Sequence, residues 1–435
     1  MLDIKFIRDN VEKVRTALKN KNGNAENLDK LLSLDDSRRK LIIQTEAYRS
    51  RRNEITEQLK TERDESLIAE SRKLKEDFSR LELELGEIEE QWRLALDEIP
   101  NVPADDVPIG SDETENKVIK QVGKPTKFKF EVKDHMALGV ALDVIDSERA
   151  AKVSGARFGY KKGPLVLLES ALMQLVYKAL TSKEIIGQIA REVDPKLSDN
   201  IFIPVLPPVM IKPDIYTRTG RLSPGDADEK YKMAKDELYL IGSAEHTLVA
   251  MHMDEVLDGK QLPLRYIGFS TCFRREAGSY GKDTKGMLRV HQFDKLEMES
   301  FATPETSLAE HKFLVAVQEY LVGQLELPYQ VVINCTGDMG KPNARQVDIE
   351  TWLPGQNKYR ETHSADYMTD YQARGLGIKY RKVDGTTEFV HTNDATAIAM
   401  SRIPIAILEN NQQADGSIVV PKVLREFMGM DVIKK

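Results

Sequence analysis

Between Asn24 and Ile99 the chain has no proline and a single glycine, Gly86. Over such a length that composition leaves little but helix, because proline breaks helices and glycine weakens them. The apolar residues then set the arrangement. Leu34, Leu41, Tyr48 and Ile55 recur every seven residues, and so do Leu67, Leu74, Leu81, Ile88 and Ala95, with Phe78, Leu85 and Trp92 filling the four-residue offset. That is the a/d stripe of two coiled-coil helices. The polar run Thr61-Glu62-Arg63-Asp64-Glu65-Ser66 marks the break between them. Two helices with a tight turn make an antiparallel hairpin, each roughly 45–50 Å long at about 1.5 Å per residue. A two-helix hairpin has no deep core, so it is expected to project from a body.

Heptads alone fit a dimerisation coiled coil as well as a binding rod. The charges favour the rod. The first helix carries Arg38, Arg39, Lys40, Arg49, Arg51 and Arg52, and the second an acidic cluster from Glu82 to Glu90. A basic edge suits a phosphate backbone; the plain alternative is a solvated face.

Pro100, Pro103, Pro108 and Pro125 then mark a linker, with acids from Asp105 to Glu115. Beyond it the elements shorten. Gly163-Pro164 opens an apolar helix, Leu165 to Leu180, expected to be buried in a core or an interface. Strand-like runs follow at Ile201–Leu206, Leu262–Ser270, Gly286–Glu299, Tyr329–Asn334 and Val347–Thr351, and Ala395–Asn411 looks helical. Strands dominate the middle without steady β-α alternation. An α+β fold is expected, a mainly antiparallel sheet with helices packed on it.

At 435 residues the chain has room for two or three domains, and its formal net charge of −7 excludes a global polycation. A nucleic acid would have to bind through local patches. The two cysteines, Cys272 and Cys335, exclude a disulfide framework or a cysteine zinc cluster and suit a reducing compartment. No run is apolar enough to span a membrane, and the N-terminal segment resembles neither a signal nor a transit peptide. The expectation is a cytoplasmic protein. No P-loop and no Gly-x-Gly-x-x-Gly after a strand occurs, and the seven histidines show no metal-ligand spacing.

One stretch carries chemistry: Phe273 to Glu297, FRREAGSYGKDTKGMLRVHQFDKLE. Arg289, His291, Phe293, Lys295 and Glu297 stand two apart, so on a strand they share a face. Arg274 and Glu276 share another, and a loop with Gly278, Gly281, Lys282 and Gly286 joins the halves. The arginines could hold phosphates or a carboxylate in fork geometry. Phe293 could stack a flat base, Glu276 could accept from an exocyclic amine, and Glu297 from an ammonium or hydroxyl. An exposed cross-strand ion-pair ladder would give the same pattern.

This stretch resembles motif 2 of class II aminoacyl-tRNA synthetases in its seryl form. The likeness runs almost end to end: MLDIKFIRDNVEKVR, the hairpin, IPNVPADDVPIG, KDHMALGVALDVIDSERAAKVSGARF, CTGDMG, WLPGQNKYRE and ILENNQQADGSIVVPKVLREFMG are similar to the seryl-tRNA synthetase family. The resemblance implies a class II antiparallel sheet flanked by helices. It implies a tRNA-binding N-terminal domain over 1–110 with its arm at about 28–98, and a catalytic domain over 111–435. Motif 1 would fall at about 165–210, motif 2 at about 268–299 and motif 3 at about 389–411. It further implies a homodimer through motif 1, with serine, ATP and tRNA(Ser) as ligands and Mg²⁺ at the phosphates.

By resemblance, Arg274 bridges the ATP α-phosphate and the amino-acid carboxylate, and Glu276 accepts from the adenine amine. Arg289 is a second phosphate arginine, with Val290 beside it, and Phe293 is the ring on adenine. Arg402 is the motif 3 arginine at the γ-phosphate, and Glu361 and Ser364 are the Mg²⁺ ligand pair. Ser243 and Glu245 match the Thr-x-Glu loop at the serine ammonium. Glu297, Asp394 and Thr396 line the serine pocket. The basic residues of the arm, Arg38, Arg39, Lys40, Arg49, Arg51 and Arg52, would meet tRNA.

The departures lie near the amino acid. Ser243 stands for the usual Thr, and Glu361-Thr362-His363-Ser364-Ala365-Asp366-Tyr367 for Glu-Val-Ser-Ser-x-Ser-Asn. Asp394 replaces an Asn, adding a charge and removing a donor. Asn200 in motif 1 stands where glycine is usual. The implied reaction is serine activation by ATP and transfer to tRNA. A paralogue loading a non-tRNA acceptor would not need the arm, and a non-catalytic RNA-binding paralogue would not need the phosphate arginines.

Overall fold

The computed structural model describes residues 1–61, 63–222, 227–277 and 286–435. Gly278, Gly281 and Lys282 of the motif 2 loop lie outside the described residues, as does Glu62 in the hairpin turn. The chain forms two compact units, Met1–Pro100 and Asn101–Lys435.

In the first unit, helices α1 (Ile4–Asp9) and α2 (Val11–Asn20) precede α3 (Glu26–Thr61) and α4 (Glu65–Asp97). Asp64 caps α4, its carboxylate accepting from the backbone N–H groups of Ser66 and Leu67. Along the heptad stripe Leu41, Ile55, Phe78 and Ala95 are buried, while Leu34, Tyr48, Leu74 and Leu81 are half-buried. A two-helix rod has one seam and no interior, so this gradation is expected. Charges flank the seam. Arg38 pairs with Glu89 at 3.0 Å, Arg51 with Glu70 at 2.9 Å, and Arg49 with Glu82 at 3.9 Å. Arg38 also lies over Trp92, and Arg49 and Arg52 over Phe78. The basic edge is thus partly engaged by the facing helix; Arg39 and Lys40 are exposed.

The second unit is built on an eight-stranded sheet: β1 (Lys117–Val122), β2 (Ile203–Val205), β3 (Leu264–Phe273), β4 (Gln292–Ala302), β5 (Tyr329–Ile333), β6 (Arg345–Leu353), β7 (Lys358–Thr369) and β8 (His391–Ala399). The order is β1-β5-β6-β7-β8-β4-β3-β2. Every pair is antiparallel except β2 with β3, which is parallel. Helices α5 (Pro164–Leu180), α6 (Lys183–Val193), α7 (Ser307–Gln324) and α8 (Ile403–Asn410) flank it. Among the described residues no single helix is long and apolar enough to cross a membrane.

Helix α7 fixes which face of the sheet is core. Phe313, Leu314, Val317 and Leu321 join one apolar cluster with Leu296, Met298, Ile349, Ala365 and Ala395. The alternate residues of β4, namely Lys295, Glu297 and Glu299, therefore turn to the opposite face. A buried ion pair pins this helix to the sheet: Arg265 Nε lies 3.0 Å from Glu310, both side chains fully buried. Arg265 also donates to the carbonyl of Asn200, and the Asn200 amide donates to the Pro263 carbonyl at 3.0 Å. Asn200 thus fastens the approach to β2. The proline-rich segment after Pro100 lies along the second unit, with Asn101 bonded to the Lys341 carbonyl and Ala104 to that of Ala344.

Three local expectations change. Residues 286–289 form bends, and β4 begins only at Gln292. Gly286 takes φ 106°, and a Cβ there would meet His135 Nε2 at 2.6 Å, so the chain turns where a strand was expected. Arg289 and His291 therefore do not share the pleat of Phe293. The segment Ala395–Asn411 is not one helix. Its first five residues end β8, and α8 starts at Ile403 with Pro404 in its first turn. The alanines there read as helical by propensity, but β8 sits between β7 and β4 under α7, where small residues allow close packing. Finally, β7 is a twelve-residue strand in a segment with no strand signal of its own.

Candidate active site

The polar face of the sheet carries a cleft with two ends. At the first end, Arg274 follows directly on β3. Its N–H bonds the His291 carbonyl at 3.0 Å, its Nε donates to the Gly242 carbonyl at 3.1 Å, and its guanidinium lies 5.4 Å from the centre of the Phe293 ring. Glu276 takes φ 53°, a left-handed conformation uncommon outside glycine, and its carboxylate accepts from Arg289 at 3.1 Å. Arg289 thus reaches the cleft from the bent segment rather than from a strand. His291 does not join it: its ring packs on Phe158, and its Nδ1 donates to the Arg274 carbonyl at 3.0 Å.

Arg402 stands at the start of α8 and donates to both the carboxylate and the carbonyl of Glu361, at 2.8 and 2.9 Å. Arg274, Glu276, Arg289, Val290, Phe293, Lys295, Glu361, Thr396 and Arg402 all line one pocket. It shares Leu288, Arg289, Glu361 and Arg402 with a wider cleft of about 530 Å³ that also takes in Lys358 and Arg360.

Glu361 and Ser364 share a face because of a β-bulge. The register between β6 and β7 shifts between Ile349 and Glu350, which pair with His363 and Glu361, leaving Thr362 as the extra residue. One extra residue turns a spacing of three into a same-face spacing. Partial desolvation against the cleft wall raises the Glu361 carboxyl, but Arg402 and Arg274 outweigh it and hold it below its ordinary range. Nearly half of its side chain remains exposed to the cleft.

The second end is a buried pocket of carboxylates. Glu297 on β4 pairs in register with Thr396 on β8. Its carboxylate forms an ion pair with Lys295, accepts from Ser243 Oγ at 3.2 Å, and lies 3.4 Å from Thr396 Oγ1. Lys295 Nζ in turn donates to Thr396 Oγ1 at 3.3 Å. One oxygen each of Glu245, Glu297 and Asp394 lies within 4.8 Å of the others. Burial raises the Glu297 carboxyl against the pull of Lys295. Burial also raises Glu245, but Arg221 beside it more than offsets this, so Glu245 stays well below the carboxylate range. Asp394 moves the other way, pushed up by burial and then by Glu245 and Asp366.

The structure therefore brings together Arg274, Glu276, Arg289, Val290, Phe293, Glu361 and Arg402 at one end and Ser243, Glu245, Glu297, Asp394 and Thr396 at the other. Thr396, Lys295 and Arg274 line the junction. Sequence reasoning missed Arg221, which ion-pairs with Glu245 and Asp366 at 2.8 Å each. It follows no periodic pattern. The only hint was the pair of extra charges, Asp366 and Asp394, which need a cation once buried. Glu299 was missed as well: it is fully buried beside Asp394 in the register, and among the described residues neither of its carboxylate oxygens has a hydrogen-bond partner.

An antiparallel sheet whose polar face joins arginines to a pocket for a small polar ligand is the arrangement of the class II aminoacyl-tRNA synthetases. Residues 229–411 match the tRNA synthetase class II core domain of the G, H, P, S and T enzymes, and residues 1–103 match the seryl-tRNA synthetase N-terminal domain. The serine–tRNA ligase of Thermodesulfovibrio yellowstonii is 41% identical over 443 residues, covering 100% of both chains. That of Nitrosopumilus maritimus is 39% identical over 99% of both. The crystal structure of seryl-tRNA synthetase from Pyrococcus horikoshii complexed with ATP superposes with a TM-score of 0.89 at 38% identity, covering 100% of this chain and 99% of that one. The chain belongs to the seryl-tRNA synthetase family.

Proposed function

We propose that this protein activates serine with ATP, giving seryl-adenylate and pyrophosphate, and then transfers serine to the 3' end of tRNA(Ser). The observation that carries this reading is the junction of the two ends of the cleft. A pocket lined by Arg274, Arg289 and Arg402 opens directly onto Lys295 and Thr396, and Thr396 and Glu297 lie within hydrogen-bonding reach of each other.

The chemistry needs no protein nucleophile. A serine carboxylate oxygen attacks the α-phosphorus of ATP in line, and the bond to the leaving pyrophosphate breaks. The protein contributes orientation and charge stabilisation. Arg274 bridges the carboxylate and the α-phosphate in this reading, with Arg289 and Arg402 at the outer phosphates. Phe293 stacks the adenine and Glu276 accepts from its amine, with the Val290 backbone alongside. Glu245, held ionised by Arg221, receives the serine ammonium together with Ser243. Glu297 and Thr396 bond the hydroxyl, and Asp394 lies at the pocket wall. In the second step a ribose hydroxyl of the tRNA terminus attacks the acyl carbon and AMP leaves.

Glu361 and Ser364 offer the hard oxygen donors that Mg²⁺ prefers, on one face of β7 with Glu361 anionic and open to the cleft. They would hold the ion, which supplies charge neutralisation on the phosphates. For tRNA, Arg39 and Lys40 offer exposed cations on the helical arm. Arg38, Arg49, Arg51 and Arg52 would turn from their partners on the facing helix to phosphates. A homodimer through motif 1 is supported by apolar side chains left exposed there, Val166 and Leu167 on α5 and Ile203 and Leu206 around β2. The place of action is the cytoplasm, where translation runs.

The test is ATP–pyrophosphate exchange with each standard amino acid in turn. Exchange driven by serine alone is the expected result. Exchange driven by another amino acid, or by none, overturns the reading.

A further inference from the structure

We propose that Arg221 is a positioning residue of the amino-acid pocket, binding Glu245, Asp366 and Asp394 into one unit on which affinity for the substrate ammonium depends. This rests on the serine-activating reading above. Arg221 Nε lies 2.8 Å from Glu245, and its Nη2 lies 2.8 Å from Asp366 and 3.3 Å from Asp394. All four side chains are at least four-fifths buried. Asp366 and Asp394 are direct cross-strand partners on β7 and β8. Like charges placed so, out of water, are costly without a shared cation.

The pocket is already rich in acid. Glu297 and Glu299 stand on the same face, and Lys295 is engaged by Glu297. Arg221 is therefore the cation that lets Glu245 remain ionised beside two further carboxylates. Remove it, and three carboxylates that its guanidinium holds within 3.3 Å repel one another, so Glu245 is no longer held where an incoming ammonium can meet it. Seen this way, Asp366 and Asp394 are not two independent departures from the family's serine and asparagine. They are the acidic partners of one buried arginine.

The experiment is exchange kinetics of the full chain, reading KM for serine and for ATP separately. KM does not depend on the fraction of active protein, so partial misfolding cannot mimic the effect. Arg221→Gln is expected to raise KM for serine by at least about tenfold while that for ATP stays put, since breaking a buried pair leaves uncompensated charge. The triple variant Arg221→Gln/Asp366→Ser/Asp394→Asn removes the whole unit and is expected to bring KM for serine back towards that of the wild type. Should Arg221→Gln fail to fold, the Asp366→Ser/Asp394→Asn double variant reads the same coupling: Arg221 then neutralises Glu245 alone, and KM for serine rises. An unchanged KM for serine in Arg221→Gln or in the double variant overturns the proposal. So does a parallel rise in both KM values, or a triple variant no better than Arg221→Gln. Serine-dependent exchange by the wild-type protein tests the underlying reading separately.

Discussion

Glu297→Gln is the substitution that probes amino-acid selection most closely. The side chain keeps its shape and loses its charge. In the structure Glu297 is the acceptor on which the pocket converges, taking Ser243 Oγ at 3.2 Å and Thr396 Oγ1 at 3.4 Å, and pairing with Lys295. A substrate hydroxyl bonded there makes a charge-assisted contact, worth about 1.5–3 kcal/mol. Losing it should lower kcat/KM for serine by roughly 10- to 150-fold. Alanine has no hydroxyl and never made that bond. A site built to bond a hydroxyl discriminates by about 10⁴ against an analogue lacking it. The ratio of kcat/KM for serine over alanine should therefore fall from about 10⁴ to about 10²–10³ in the variant. Exchange assays with both amino acids measure that ratio, and any loss of folded protein cancels from it. Lys295, left without its counter-charge in a buried site, should also lower the melting temperature. If the ratio is the same in both proteins, Glu297 does not select the hydroxyl.

Arg402→Ala should cost roughly 3–4 kcal/mol of barrier, the value of one preorganised charge contact, and so nearly abolish exchange while circular dichroism stays native; normal exchange would remove Arg402 from the phosphate site. Replacing Arg49, Arg51 and Arg52 by Ala should weaken tRNA binding and flatten its salt dependence by up to about one log–log unit per phosphate contact, with exchange unaffected. Full affinity and slope would mean that these arginines serve only their contacts with the facing helix. Glu299→Gln addresses pH. Burial, then Glu245 and Glu297, pushes the Glu299 carboxyl well above its ordinary value. A carboxyl that holds its proton more tightly folded than unfolded loses stability for the fold as pH rises from about 4.3 towards the folded pKa. The variant should thus gain in melting temperature over the wild type by more at about pH 8 than at about pH 5, and an equal difference at both would show Glu299 to be unstrained.

Much of this was legible from residues alone because it depends on spacing. The heptads of α3 and α4 and the polar break before Asp64 specify a hairpin without help from tertiary structure. The types and order of Arg274, Glu276, Arg289, Phe293 and Glu297 were enough to mark them as candidates for one site. What could not be read depends on contacts between distant segments. Strand β8 looks helical because its alanines answer to the packing of α7, not to local propensity. Arg289 reaches the cleft through a bend at Gly286, where the pleat would have aimed it differently. Glu361 and Ser364 share a face only through a bulge set by the register with β6. Arg221, more than a hundred residues from either aspartate it neutralises, has no local signature at all.

The most direct test of the central claim is charging of total tRNA with labelled serine by the purified protein in the presence of ATP and Mg²⁺. The expected result is serine attached to tRNA at a rate that falls away when ATP is withheld, with no comparable charging by alanine or threonine. Failure to attach serine to tRNA by a folded preparation, or equal charging with alanine, would contradict it.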